Sequence, residues 1–183
     1  QYKIDSFSAL DMTMYFRDIR DLTGTRNDVI FTYNGATYNK YENSDFAFVK
    51  GLVLSYKKQF LNGFSTTFDY TFQQAKGTAS NPFDAYNSSQ ANEFPEIHII
   101  PLNWDQRHTI NATLYYDSKN WGLGLIGKIG SGQPYTPFIS DNFANLITNS
   151  KTKPMTSNVD LRTYMNFPSL NGVKPVSYTH LRA

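Results

Sequence analysis

The stretch FSTTFDYTFQ, residues 64–73, decides the fold, because aromatic side chains recur at even positions while polar side chains fill every odd position. Successive side chains of a β-strand point to opposite faces, so a period of two creates one apolar face and one polar face. An amphipathic helix would instead repeat its apolar positions every three or four residues. The stretch therefore predicts a strand whose two faces meet different environments.

Five further segments alternate in the same way, and together with the first they predict an all-β chain of about six antiparallel strands. These segments are Leu10–Arg17, residues 52–57, Thr109–Tyr116, Trp121–Ile129 and Val159–Asn166. The charged side chains on the polar face of these segments are Lys57, Asp69, Lys128, Asp160 and Arg162. The exception is Lys58, which falls on the apolar face beside a turn. Val53 and Ile126 also fall on the polar face in this register.

The connections between these strands are alternately long and short, which separates a membrane barrel from a soluble sandwich. Long connections run from about Asp21 to Asp45, from Gly77 to Asp105 and from Ser131 to Asn158. Short turns are expected at residues 61–63, 117–120 and 169–172. Up-and-down membrane barrels place short turns on the periplasmic side and long loops outside, whereas soluble sandwiches turn tightly at both ends. The pattern favours a transmembrane barrel segment over a soluble β-sandwich binding module.

Composition agrees with this interpretation and excludes several other classes of protein. Aromatic residues make up 16% of the 183 residues. Several flank the expected turns and loops, as in the aromatic girdles of outer-membrane barrels: Phe60, Phe64, Phe72, Trp104, Tyr116 and Trp121. The net charge of +2 offers no basic footprint for nucleic acid. Because cysteine is absent, neither disulfides nor thiolate metal sites are expected.

Five motifs, in order along the chain, resemble the C-terminal part of the barrel of TonB-dependent receptors. They are residues 15–22 (YFRDIRDL), 50–52 (KGL), 101–111 (PLNWDQRHTIN), 131–137 (SGQPYTP) and 158–162 (NVDLR). The resemblance spans about residue 9 to residue 172. It implies a barrel of roughly 22 strands, of which this chain is a part, together with a plug domain and a TonB-contacting segment that we expect outside this chain.

The resemblance implies that the chain forms wall and extracellular loops of an outer-membrane receptor in a Gram-negative bacterium. Such a receptor imports a scarce nutrient, namely a siderophore, cobalamin, a glycan or a peptide, with energy from the TonB complex. Expected partners are outer-membrane lipid, lipopolysaccharide, the nutrient and a candidate surface lipoprotein. The alternative is a passive channel or structural barrel without energy coupling. We expect residues 1–176 to form the partial barrel and residues 177–183 to be a non-native tail.

Candidate binding residues are aromatic side chains among the amides and hydroxyls of the long loops, a composition suited to stacking on sugars or siderophore rings. They are Tyr33, Tyr38, Tyr41, Phe83, Tyr86, Tyr135 and Phe138. We expect no enzymatic activity, because Asp105, Arg107 and His108 come without a recognisable nucleophile and oxyanion site. No metal site or cofactor is expected, although Glu93, Glu96 and His98 form a loose cluster of possible ligands.

Overall fold

The computed structural model describes residues 2–25, 31–80, 82–83, 86, 99–137, 148–166 and 176–182, and this part of the chain is dominated by antiparallel strands. The strands are β1 Tyr2–Asp5, β2 Ser8–Thr25, β3 Phe31–Tyr33, β4 Ala36–Tyr38, β5 Tyr41–Gln59, β6 Phe64–Gly77, β7 Ile100–Pro101, β8 His108–Asp117, β9 Trp121–Gly130, β10 Pro134–Tyr135, β11 Lys151–Thr152, β12 Thr156–Met165 and β13 Val176–Arg182. In this described part, no helix is long and apolar enough to cross a bilayer.

One large sheet follows the chain in the order β1-β2-β5-β6-β8-β9-β12-β13, with β7 paired to β6 beside this path. Each neighbouring pair is antiparallel, as in an up-and-down barrel wall. Two small hairpins, β3–β4 and β10–β11, lie outside the sheet. The six predicted strands correspond to β2, β5, β6, β8, β9 and β12, so the predicted fold class is confirmed.

The pairing register keeps the two faces separate across the whole sheet. One row of directly opposed residues is apolar: Leu10, Tyr56, Phe68, Ala112, Gly127 and Val159. The adjacent row on the other face is polar: Asp11, Ser55, Asp69, Asn111, Lys128 and Asn158. A slip of one residue in any pair would reverse the faces, so the sequence pattern itself selects this register. Val53 and Ile126 lie on the polar face, as predicted.

The first long connection is shorter than the sequence pattern suggests, because β2 and β5 continue pairing well beyond Asp21 and Asp45. Asp21 has a positive φ of 59° and lies in a bulge, where Arg20 and Asp21 oppose Phe46 alone. A second irregularity leaves Ser44 unpaired on β5. Each extra residue reverses the alternation of faces. Both ends of the expected loop over residues 21–45 therefore belong to β2 and β5, and the β3–β4 hairpin lies between these two strands in the sequence.

The C-terminal residues extend the sheet by one more strand. Residues 176–182 form β13, which pairs antiparallel with β12 from Asn158 to Tyr164. The non-native origin expected for residues 177–183 stays a prediction, because any strand-forming sequence can pair at an open sheet edge. The turn expected at residues 169–172 lies outside the described residues. The turns at residues 61–63 and 117–120 are present between consecutive strands, and Gly63 has a φ of 87°.

Candidate functional site

One face of the sheet exposes a continuous apolar surface that a soluble protein would bury. The exposed large side chains on this face come from five strands: Leu10, Met12, Met14, Phe16, Phe68, Leu114, Trp121, Leu125, Ile129, Val159, Leu161 and Met165. Soluble monomers rarely leave contiguous apolar patches of more than a few hundred Å² uncovered. A lipid bilayer covers such a surface without requiring any polar partner. This surface, called here the apolar face, has the character of the lipid-facing side of a membrane barrel.

Aromatic side chains border the apolar face at its short-turn end. The rings of Phe64 and Tyr116 lie 4.5 Å apart between centroids, and those of Tyr116 and Trp121 lie 4.8 Å apart. Amphipathic rings are favoured at headgroup depth in membrane barrels. Lys58, the one charge expected on this face from the sequence, places its Nζ 5.3 Å from the Phe60 ring centroid. Its ammonium group therefore lies at the girdle and not in the middle of the apolar band.

A second aromatic cluster lies at the long-loop end of the apolar face. The ring of His108 is 5.4 Å from that of Phe72 and stacks on Tyr70 at 6.1 Å, measured between centroids. His108 Nδ1 and Tyr70 Oη lie 2.8 Å apart, within hydrogen-bond distance. His108 thus belongs to a girdle-like cluster, and in the described structure its side chain forms no hydrogen bond or ion pair with Asp105. The partner of His108 is thus Tyr70, whereas Arg107 pairs with Asp105.

The opposite face, called here the polar face, is crossed by side-chain hydrogen bonds that join neighbouring strands or reach over the strand between them. Ser55 donates to Asp69 across β5 and β6. Tyr15 Oη donates to Gln73 Oε1 at 3.1 Å, passing over Gly51 on the strand between them. A polar, internally bonded surface of this kind suits a hydrated or plug-filled lumen.

Three tyrosines on the polar face each lie directly opposite a glycine. The pairs are Tyr15 with Gly51, Tyr115 with Gly124 and Tyr164 with Gly122. Tyr164 reaches over Gly122 and donates to Asp117 on β8, as Tyr15 reaches over Gly51. The rings fill the space above glycine and shield its backbone, an arrangement known to strengthen glycine-containing strands. At the short-turn end Tyr115 and Tyr164 line a cavity of about 450 Å³ together with Arg162.

The second long connection is fastened to the polar face by a small buried core. Leu102 packs on Ala47, Val49 and Ala75, all of which are buried. Leu102 N donates to the carbonyl oxygen of Ala75 at 3.1 Å. Because a barrel wall is a single layer, buried apolar contacts arise only where a loop folds back onto it. The residues after β7 therefore lie over the polar face of β5 and β6 at its long-loop end.

Asp105 completes this anchor and is the only charged residue that is buried in the described part of the chain. Its carboxylate has 0% exposure, accepting from the backbone N–H of Ala75 at 2.7 Å and from Arg107 Nε at 2.7 Å. A buried carboxylate is tolerated when its oxygens receive hydrogen bonds and a cation lies beside it. Asp105 and Arg107 therefore stabilise the loop attachment, which gives a structural explanation for this part of the 101–111 motif.

Asn149 connects the second and third long connections. Its Nδ2 donates to Ser80 Oγ at 3.1 Å and to the carbonyl oxygen of Pro101 at 2.8 Å, while its backbone N–H donates to Thr136 Oγ1 at 3.0 Å. Asn149 also has a positive φ of 56°, a conformation that asparagine adopts more readily than most residues. A single side chain therefore holds parts of two loops in one arrangement above the polar face.

The structure brings only some of the predicted binding aromatics together. Tyr41 and Phe83 are in edge-to-face contact, with ring centroids 5.9 Å apart. Tyr38 stacks on Phe31 at 5.6 Å in the β3–β4 hairpin, where Tyr33 is 71% exposed. Tyr86 and Tyr135 are exposed, and in the described structure neither of them forms a ring pair with Tyr33, Tyr38 or Tyr41.

Phe138 and the loose cluster of Glu93, Glu96 and His98 lie outside the described residues. Within the described ranges, no group of three or more His, Cys, Asp or Glu side chains could hold a metal ion. The binding roles of the loop aromatics stay predictions.

The sequence did not single out Leu102 or Asn149, and it did not indicate the structural role of Asp105. Their partners lie many residues away along the chain, so no local pattern marks them.

A solved structure with a similar fold is the outer membrane transporter YddB from Escherichia coli, with a TM-score of 0.69 at 10% sequence identity. The similarity covers 98% of this chain and 30% of that one, so this chain spans less than a third of the transporter's length. No protein-family model and no curated protein matches the sequence. At this level of identity the likeness establishes the fold. The chain has the fold of a segment of an outer-membrane barrel.

Proposed function

We propose that this chain forms part of the wall and the outer loops of an outer-membrane receptor that imports a scarce nutrient in a TonB-dependent manner. The observation that carries the proposal is the division of one sheet into an apolar face and a polar face. An outer-membrane location would place the apolar face in lipid and the polar face toward a lumen. The motifs quoted from the sequence and the likeness to a transporter barrel support a transport role.

Loop anchoring supports a receptor role for the long-loop end. Asp105 and Asn149 fix the second and third long connections above the polar face. Loops on a rigid scaffold are well suited to binding, because little conformational entropy is then lost when a ligand is captured. The aromatic pair Tyr41 and Phe83 offers apolar ring surface in the same loop region. A siderophore, cobalamin, a glycan or a peptide would offer rings or apolar surface to stack there.

The proposed partners follow from the same role. The TonB complex would act through a plug domain belonging to another part of the parent protein. Outer-membrane lipid and lipopolysaccharide would surround the apolar face, and a surface lipoprotein is a further candidate partner at the loops. A passive channel would share the wall and the lipid contacts but would need neither plug movement nor an energy supply.

The test is uptake by the full-length parent protein in a Gram-negative host that lacks its own receptors for the probes. Labelled ferric siderophores, cobalamin, oligosaccharides and peptides are offered with and without a protonophore, and in a host with or without TonB. The proposal predicts that at least one probe accumulates only when the proton-motive force and TonB are both present. Uptake that persists after the energy supply is collapsed supports the passive channel instead. Recovery of the protein in the soluble periplasmic fraction, without detergent, would contradict the membrane location itself.

A further inference from the structure

Two lysines lie next to each other on the apolar face, at the end where the long loops begin. Lys50 on β5 is directly opposite Phe16 and Gln74. Lys76 on β6 is directly opposite Phe48 and Pro101. Lys76 is two residues beyond Gln74, so the two lysines are diagonal neighbours on one face, with Cβ atoms about 7 Å apart. Both ammonium groups can therefore reach a single ligand in front of the sheet.

The position of Lys50 relative to Lys58 shows that the pair lies at the edge of the apolar band. Both lysines are on β5 with the same parity, and Tyr56, Leu54 and Leu52 lie between them on that face. The stretch from Lys58 to Lys50 covers about 27 Å along the strand at ~3.4 Å per residue, which a strand tilt of about 40° reduces to about 20 Å along the membrane normal. The apolar band of an outer-membrane barrel is about 25 Å tall. Lys58 beside the girdle thus lies near one headgroup layer. Lys50 lies within reach of the other layer for a long side chain, and Lys76, opposite Phe48, is two residues nearer the loops.

The acidic side chains of this region do not neutralise the two lysines. Asp18, the acid on the adjacent strand, accepts from Arg20 Nε at 3.0 Å, so its charge is already matched. Asp21 and Asp45 are nearer the loops, where they line a cavity of about 440 Å³ with Asp18 and Arg20. Among the described residues, neither Lys50 nor Lys76 forms an ion pair with any acid. Two positive charges remain available.

We propose that Lys50 and Lys76 bind a phosphate monoester on the glycolipid of the outer leaflet, with Phe16 and Phe48 contacting its acyl chains. This inference rests on the outer-membrane location in the proposed function, but not on nutrient uptake. A phosphate monoester carries close to two negative charges and three acceptor oxygens, which matches two ammonium groups. A zwitterionic phospholipid is a poorer ligand, because its own ammonium group would face two lysines. Phe16 is 70% exposed and therefore accessible to lipid.

The experiment measures the lipid that co-purifies with the full-length parent protein in detergent, by native mass spectrometry after addition of defined lipids. The probes are bis-phosphorylated lipid A, the same lipid A after enzymatic dephosphorylation, and phosphatidylethanolamine. Wild type should retain bis-phosphorylated lipid A in preference to both other probes. The K50Q/K76Q double variant should bind it about 20- to 30-fold more weakly, since each basic residue near an anionic surface strengthens binding by about five-fold.

Three control variants separate a specific site from a general effect of charge. K58Q removes a lysine from the same face at the opposite end, and K57Q removes one from the polar face, so both should retain lipid A as wild type does. K50R/K76R keeps the charges and should retain lipid A as wild type does, which also shows that changes at these positions leave the barrel folded.

Equal retention of bis-phosphorylated lipid A by wild type and K50Q/K76Q would overturn the proposal. So would equal retention of dephosphorylated lipid A or of phosphatidylethanolamine by wild type. Because no step requires energised uptake, a negative result here is distinct from failure of the transport proposal.

Discussion

Tyr115 on β8 lies directly opposite Gly124 on β9, and its ring occupies the space that a side chain at position 124 would need. A Cβ at Gly124 would come within 2.7 Å of Tyr115 Cε1 and 2.9 Å of Cδ1. The next atom, Arg162 Cβ, would be at an ordinary contact distance of 3.8 Å. The obstacle to a methyl group at this position is therefore the tyrosine ring, and not the backbone of a neighbouring strand.

The first prediction is that Gly124→Ala destabilises the barrel because the new methyl group displaces the Tyr115 ring. Overpacking of this kind typically costs about 1–3 kcal/mol, which exceeds the gain of about 0.5–1 kcal/mol expected when alanine replaces a glycine in a strand. The measurement is the urea midpoint for unfolding of the full-length protein in detergent micelles. Gly127→Ala is the matched control, since its Cβ would meet nothing closer than the Ala112 carbonyl oxygen at 3.9 Å.

A double variant tests the cause. In a Tyr115→Ala background the obstacle is gone, so Gly124→Ala should become neutral or slightly stabilising while Tyr115→Ala itself weakens the barrel. Non-additivity of this size is expected only for residues in direct contact. If Gly124→Ala costs the same free energy with and without Tyr115, the ring is not the reason for glycine at this position.

Leu125 and Ile126 allow the assignment of the two faces to be tested with neighbouring residues of nearly equal exposure. Leu125 is 39% exposed and Ile126 is 36% exposed, yet they point to opposite sides of β9. Leu125 lies between Leu114 and Leu161, whereas Ile126 lies between Thr113 and Asp160. Exposure alone therefore does not distinguish them, but their surroundings do.

We predict that Leu125→Lys lowers the stability of the membrane-inserted protein by about 2–4 kcal/mol, the cost of lysine near the bilayer midplane. Ile126→Lys should change it by much less, because its ammonium group would face the polar side near Asp160. Folding titrations into lipid vesicles, followed by urea unfolding, measure both variants. A larger penalty at position 126 than at 125 would reverse the assignment of lipid and lumen faces.

Strand positions and faces could be predicted from the sequence because alternation is a local property. The apolar positions of Phe64–Gln73 lie on the same face in the structure as in the prediction, and the register joins them to their neighbours. The continuation of β2 beyond Asp21 could not be predicted in this way. Ile19 and Leu22 both pack on the same small core, although they are three residues apart. A bulge between them shifts the alternation, and a period of two cannot reveal it.

The loop anchors escaped prediction for a different reason. Asp105 receives its hydrogen bond from Ala75, thirty residues earlier in the sequence, and Asn149 reaches Ser80, which is farther still. Neither residue has a periodic pattern or a neighbouring motif that specifies its partner. In the sequence, Asp105 stands beside Arg107 and His108 and suggests only a possible acid–base group. Only the folding of the second long connection onto β5 and β6 explains why a carboxylate is required there.

The third prediction concerns that carboxylate. Asp105→Ala leaves the buried N–H of Ala75 without its acceptor and removes the partner of Arg107, so the loop attachment should weaken by about 1–3 kcal/mol. Arg107 is 40% exposed, so water compensates for part of the lost ion pair. Hydrogen exchange at the Ala75 amide should become faster, together with proteolysis of the connection between β6 and β8.

Asp18→Ala provides the matched control, since it also removes an aspartate that pairs with an arginine two residues away. The side chains of Arg20 and Asp18 are 77% and 43% exposed, so this surface pair should contribute at most about 1 kcal/mol. Comparable losses from the two substitutions would show that burial of Asp105 has no special effect on the anchor.

The last prediction is that Asn149 couples the second and third long connections through its side-chain amide. Asn149→Asp keeps the size and the tolerance of positive φ, but it places a carboxylate against the carbonyl oxygen of Pro101. Asn149→Gly keeps the backbone conformation and removes the side chain. Both should weaken the loop attachment, and the aspartate should do so more than the glycine.

The measurement is hydrogen exchange at the Asn103 amide, which donates to Ser80 Oγ at 3.0 Å. A loss of about 1–2 kcal/mol would speed this exchange by about 5- to 30-fold. Unchanged protection of Asn103 in both variants would mean that the two loops hold their positions without Asn149.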